Sequence, residues 1–411
     1  MSLPLFRPFA GIRPDPKFAA EVVAPPYDVL NSEEARVLAD GKPWSFLHIS
    51  KPEIDLPLGT DLYSPPVYAK AAENMQKMLA AGVLKRDSKP CYYAYRLTMG
   101  EHVQTGIVAG GSVQAYDENR IRKHEFTRPD KEDDRVRQID AVNAQTGPVL
   151  LAHRPIAEVS AIVSRVTAGA PAYDILKAPD GNRHTLWVID AEADINAITK
   201  AFDNQNAVYI ADGHHRSAAA SRVAKARGGM DDAVHNSFLV VSFPINEMKI
   251  LDYNRVVTDL NGLSPEQFLA KLADIYTVTP EKEQVRPSCP REVGLYLEKR
   301  WYRLNFKKPV SADIDPVARL DVSLLSDHVL GPILGIMDLR KDKRIDFVGG
   351  KRGLGELEKR VDSGEMAAAF AMFATRMEDL VAVADAGQVM PPKSTWFEPK
   401  LADGMVSYPL G

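Results

Sequence analysis

A short apolar run, Val208-Tyr209-Ile210-Ala211, stops at Asp212-Gly213 and gives way to His214-His215-Arg216-Ser217 and an alanine-rich stretch to about Arg227. That order predicts a strand, a turn at Gly213, and a helix that opens on two imidazoles and a guanidinium. A helix N-terminus leaves backbone N–H groups unpaired and carries partial positive charge, while a glycine lets an oxyanion come close to the backbone. Arg216 and the histidines add directed donors. The pattern therefore points to a phosphate cradle built from Gly213, His214, His215 and Arg216. The competing reading is an ordinary strand-to-helix turn in which Asp212 caps the helix and the histidines are merely satisfied polar groups.

Composition narrows the class. A chain of 411 residues has room for two or three domains. Its 51 basic and 55 acidic residues leave a net charge of -4, which argues against a nucleic-acid partner. The two cysteines, Cys91 and Cys289, are too far apart in sequence for metal-ligand spacing and too few for a disulfide framework. No leader pattern opens the chain and no uncharged run approaches membrane-spanning length, so a cytoplasmic protein without a membrane partner is expected. Its oligomeric state is not legible.

The element pattern is mixed α/β, not a regular alternation. Residues 1–90 are rich in proline and turn signals around Ala24-Pro25-Pro26-Tyr27-Asp28-Val29, with a reciprocal cap predicted between Asn31 and Glu34 and a helix over 68–81. A hairpin follows, with Tyr92–Tyr95 and Val103–Val113 on either side of Met99-Gly100-Glu101. Lys123-His124-Glu125 leads into a charged helix over 130–144. Strands are expected at 187–189, 207–210, 238–243, 248–253 and 345–348, a second hairpin at 293–306, and helices at 191–202, 265–275 and 365–373. The glycine-rich 349–355 segment lacks the spacing of a phosphate loop and reads as a solvated basic loop. These patterns divide the chain into an N-terminal segment over 1–90 packing on the core, a core over 91–260, and a C-terminal α/β domain over 261–411.

Arg7-Pro8-Phe9, Ala24 to Val29, His124-Glu125, Asp212 to Arg216 and Met390-Pro391-Pro392-Lys393-Ser394-Thr395 together resemble the bacterial and archaeal family called domain of unknown function 1015. The Asp212-to-Arg216 motif is also similar to that of the ParB/sulfiredoxin-like superfamily, especially its archaeal free-serine kinases. Those kinases carry, in order, a His-Glu with a catalytic glutamate, the Asp-Gly-His-His-Arg turn, and a Pro-Lys followed by two hydroxyl residues. Here His124-Glu125, Asp212 to Arg216 and Pro392 to Thr395 stand in that order. The resemblance implies an α+β fold, with a ParB/sulfiredoxin-like nucleotide-binding core and added N-terminal and C-terminal α/β segments. Two departures stand out. Trp396-Phe397 replaces an Arg-His, and Tyr253 falls where the kinases place a substrate-side tryptophan.

On this resemblance the chain is a nucleotide-dependent kinase using ATP or ADP with Mg2+ to phosphorylate a small hydroxyl compound such as free serine. Glu125 would take the hydroxyl proton, Asp212 and His215 would complete the catalytic set, and Asp212 would hold magnesium. Gly213, His214, His215 and Arg216 would bind the nucleotide phosphates, and Tyr253, Lys393, Ser394 and Thr395 the substrate. Glu125 would equally serve a phosphatase or nucleotide hydrolase, in which water replaces the alcohol. A third reading is a non-enzymatic, ParB-like nucleotide-binding regulator. The charge balance and the lack of a clear helix-turn-helix weigh against it.

Overall fold

The computed structural model describes residues 3–229, 232–311 and 313–411. It is a mixed α/β protein of two compact units, one comprising Met1–Met248 with Pro399–Gly411 and the other Lys249–Glu398. This differs from the three consecutive segments expected from sequence, with limits at 90 and 260. The final residues leave the second unit and return to the first. There Ala24 and Asp403 exchange backbone hydrogen bonds of 3.1 and 3.0 Å, Ile12 and Ser407 exchange bonds of 2.9 and 2.7 Å, and Tyr408–Pro409 pairs with Ala144–Gln145. Pairing between the two ends of a chain leaves no local periodicity, so sequence pattern cannot reveal it.

No boundary falls at 90. The N-terminal segment buries its own cluster, including Val22, Phe46, Leu47 and Met75, against Val142 and Ala144. Its Phe6–Arg7 strand pairs with the His102–Ser112 strand. The main sheet of this unit runs in the order Ile121–Arg122, Val208–Asp212, Val149–His153, Ser237–Pro244, His102–Ser112, Tyr92–Met99, Arg183–Ile189, Tyr173–Ile175. Most neighbours are antiparallel, but Val208–Asp212 lies parallel to Ile121–Arg122. That parallel pair sets the end of one strand beside the chain that leads to His124 and Glu125.

The second unit is built on an antiparallel sheet ordered Tyr276–Glu281, Arg300–Phe306, Glu292–Leu297, Ala368–Met372, Tyr253–Val257, Ile345–Gly349. Two local expectations change here. The helix expected over 365–373 is the Ala368–Met372 strand, buried throughout between two neighbours. A strand covered on both faces shows no alternation, and Ala-Ala-Phe-Ala-Met reads as helix by propensity. The 248–253 strand is two pieces, Lys249–Leu251 and Tyr253–Val257, in different sheets. Asp252 separates them, its carbonyl accepting from Gly350 N at 2.7 Å and its carboxylate from Asn254 and Arg286.

Candidate functional site

The Val208–Asp212 strand is buried up to Ala211, and its pairing with Val149–His153 is irregular between Ile210 and Asp212. Such an irregularity re-aims the last side chain of a strand. Gly213 follows in the left-handed region at φ 102 and precedes the His214–Arg227 helix, with no side chain capping that helix. Asp212 is thus the end of the strand and not the helix cap considered above. The first intrahelical bond of the turn runs from Ser217 N to Gly213 O at 3.0 Å. The N–H groups of His214, His215 and Arg216 precede it and are the donors a helix leaves over.

Two backbone bonds lace the 124–128 segment to this helix start. His124 N donates to His214 Nε2 at 3.3 Å, and Arg128 N donates to His215 Nε2 at 3.1 Å. A neutral imidazole that accepts on Nε2 carries its proton on Nδ1, so both rings are fixed as Nδ1–H donors. Burial, with His124 alongside, holds His214 far below the usual histidine range, and burial followed by Arg128 lowers His215. His124 packs edge-on against His214 with centroids 4.5 Å apart, and burial pushes it down to about 4. Its ring nitrogens have no hydrogen-bond partner of good geometry, although the Ile210 carbonyl is near enough to favour the protonated ring.

This lacing places Glu125 Oε2 3.8 Å from His214 Nδ1, with the carboxylate side chain 56% exposed. The catalytic candidate and the phosphate motif therefore meet in space. The ligand atoms of His124, Glu125 and His214 lie within 4.8 Å of one another, a spacing a metal ion could use. The tautomer argues otherwise, because a cation on His214 Nδ1 would have to displace the proton directed at Glu125. We read the group as a proton-holding cluster.

Arg216 is buried, donating to Pro148 O at 2.9 Å and to Asp212 Oδ2 at 3.1 Å, with Asp28 at 3.9 Å. Burial works against its charge, but Asp28 and Asp212 outweigh it and hold its pKa above the ordinary value. Lys400 Nζ also approaches Asp212 Oδ2, at 3.6 Å. For Asp212, burial is outweighed by Lys400 and then Arg216, so the carboxylate is held well below its usual range and stays ionised. Both cations approach Oδ2. Two carboxylates that are both partly exposed, Asp212 and Glu125, provide hard oxygen donors of the type magnesium takes.

Lys400, Asp28 and Asp403 were not among the residues singled out from sequence as site candidates. Asp28 lay inside the quoted Ala24-to-Val29 motif, which was a usable signal; Lys400 and Asp403 reach the site only through the C-terminal return. Asp403 is buried and accepts from Tyr27 N at 3.2 Å. Burial lifts its pKa to about 7. Asp403 Oδ1 and Ser50 Oγ have no partner, and both residues line a cavity of about 20 Å³, room for one water, with Tyr27, Arg135 and Arg216.

Tyr253, Lys393, Ser394 and Thr395 belong to the second unit. Within it, Lys393 Nζ lies 5.7 Å from the Tyr253 ring centre, and Arg255 donates to the Lys393 carbonyl at 3.1 Å. Ser394 is buried, its hydroxyl turned back to Pro391 O at 2.7 Å. Trp396, one of the departures noted above, packs edge-on against Tyr253 at 5.2 Å.

A family model described as a protein of unknown function, DUF1015, matches residues 6–323. No curated protein matches the chain. Among solved structures, SbnI with a C-terminal truncation from Staphylococcus aureus is 12% identical, with a TM-score of 0.39 over 74% of this chain and 87% of that one. A mutant free serine kinase in complex with AMP is 12% identical, with a TM-score of 0.35 over 73% and 89%. A conserved hypothetical protein from Pyrococcus furiosus is 14% identical, with a TM-score of 0.34 over 72% and 93%.

Proposed function

The chain belongs to the DUF1015 family, and from that footing we propose that it is a cytoplasmic phosphotransferase on a ParB/sulfiredoxin-like core, moving a phosphoryl group from ATP or ADP to a small alcohol, with free serine the first candidate. The observation that carries this reading is the 3.8 Å approach of Glu125 to His214, on the helix start whose spare N–H groups suit phosphate oxygens. Phosphoryl transfer needs mainly positioning and donors aimed at the transferring oxygens. The N–H groups of residues 214–216 and the His215 Nδ1–H supply such donors. Lys400 adds positive charge from the C-terminal segment.

Glu125 is open to solvent and takes the proton of the attacking hydroxyl. His214 Nδ1–H, held neutral, faces that carboxylate and orients it without competing for the proton. Asp212 is the residue that would hold a magnesium ion, which would neutralise charge on the phosphate oxygens. Among the described residues no helix is long and apolar enough to cross a membrane, which suits a small-molecule substrate in water.

The test is a screen of purified protein with ATP, ADP and GTP against amino acids and small alcohols, reading phosphorylated product and free phosphate together. Transfer to an alcohol supports the reading. Phosphate release without product assigns a hydrolase, and failure to bind any nucleotide overturns the assignment.

A further inference from the structure

Arg255, on the Tyr253–Val257 strand, is the bulkiest fully buried side chain among the described residues. Its Nη1 donates to Tyr253 O and its Nη2 to Lys393 O, while Nε has no partner. The guanidinium lies 5.4 Å from the Phe347 ring centre. Among the described residues no carboxylate stands within ion-pair distance of it, whereas buried Arg216 is matched by Asp212 and Asp28. Burial draws the Arg255 pKa down to about 10, which still leaves the group charged near neutrality.

An uncompensated buried cation costs several kcal/mol, and two carbonyl dipoles and a ring face offset only part of that. Such a group is retained where something anionic meets it. One of the two carbonyls on the guanidinium comes from the 391–394 loop. Lys393 within it has φ 59, a left-handed conformation uncommon for a side-chain-bearing residue. Its ammonium is exposed and sits over the ring of Tyr253, the residue whose backbone carbonyl accepts from Arg255.

We propose that Arg255 and Lys393 form a receptor for the carboxylate of a small acid, which replaces the Lys393 carbonyl on the guanidinium. The Nε and Nη2 edge of a guanidinium is a pair of parallel donors matched to the two oxygens of a carboxylate, and inorganic phosphate is the competing anion the experiment includes. The proposal goes beyond the phosphotransferase reading and gives the protein a site for a small organic acid. The anion site itself stands on the second unit alone.

The experiment is calorimetry on the full chain with paired probes: L-serine against L-serinamide, glycerate against glycerol, and inorganic phosphate. The wild type is expected to bind the acids at least about tenfold more tightly than their uncharged-carboxyl counterparts, and Arg255→Met to lose about 100-fold of that affinity. Arg255→Lys keeps the charge but not the fork and should lose nearly as much. Lys393→Gln alters an exposed side chain, should keep the wild-type melting temperature, and should weaken acid binding about threefold to tenfold; it carries the test where Arg255 variants do not fold. Equal binding of acids and counterparts, preference for inorganic phosphate, no acid binding, or wild-type acid affinity in folded Arg255 and Lys393 variants would each overturn the proposal. Nucleotide titrations run alongside separate the two claims. Acid binding that depends on Arg255 without nucleotide binding leaves this site standing and removes the phosphotransferase, while nucleotide binding and transfer without any acid binding at Arg255 does the reverse.

Discussion

At the scale of single residues, the site separates groups that act on the ground state from one that acts only during reaction. Glu125→Gln keeps shape and most hydrogen bonding, so nucleotide affinity should hold while turnover falls by roughly two to four orders of magnitude. Calorimetry with nucleotide and a product assay check it, and wild-type turnover would remove Glu125 from catalysis. Asp212→Asn should weaken magnesium-nucleotide use while leaving Lys400 and Arg216 less well balanced. Arg216 behaves differently from what sequence suggests. Its guanidinium is committed to Pro148, Asp212 and Asp28, so Arg216→Ala should cost about 3–5 kcal/mol of stability by stranding buried charge, besides weakening phosphate binding. A fully stable Arg216→Ala protein would show that these pairings carry little. Sequence singles out Glu125 and Arg216 because His-Glu and Asp-Gly-His-His-Arg are distinctive words, and the fold sets Glu125 3.8 Å from His214 of the second word. It could not say that Arg216 turns inward, since direction depends on Asp28 and Pro148, which lie far off in the chain.

At the scale of elements, strand, glycine and helix around Asp212 were legible because each has a local cause: an apolar run, a residue tolerant of positive φ, and a stretch free of glycine and proline up to Arg227. The Ala368–Met372 strand was not, since its β conformation is imposed by the two strands beside it and not by its own alanines. The turn also makes a quantitative comparison available. Gly213 and Gly181 both have positive φ, at 102 and 86, but a Cβ on Gly213 would come within 2.9 Å of Arg216 Nε whereas one on Gly181 meets nothing within 4 Å. Alanine at 181 should therefore cost only backbone strain, about 1 kcal/mol. Alanine at 213 should cost clearly more, because Arg216 is pinned at both ends and cannot withdraw cheaply, and it should also weaken nucleotide binding. Denaturant titration of both variants tests this; equal losses would mean that Arg216 yields without consequence.

At the scale of the whole molecule, the C-terminal return ties the chain's ends to the candidate site through Asp403, and this gives stability a particular pH dependence. Buried His124 and His153 have pKa values pushed by burial to about 4 and about 3, so the unfolded chain binds their protons more readily between pH 6.5 and 4. Their contribution is complete above pH 6.5 and is lost as pH falls. Asp403 works the other way. Its pKa of about 7 in the fold, against an ordinary value of 3.8, means that the folded chain holds the proton more tightly across that interval. Its contribution is complete below pH 4 and is lost as pH rises through 7. Asparagine resembles the protonated acid and cannot ionise, so Asp403→Asn should remove the falling component and keep the histidine component. Relative to wild type, the variant should gain on the order of 3–4 kcal/mol between pH 4 and pH 8, which is the free energy of a shift of about three pKa units. Urea titrations at both pH values, followed by a probe in the first unit, would read that difference directly. A constant gap between the two proteins would show that Asp403 is already ionised in the fold at low pH, balanced by Arg216 and Arg135 more fully than its burial and its unpartnered oxygen indicate.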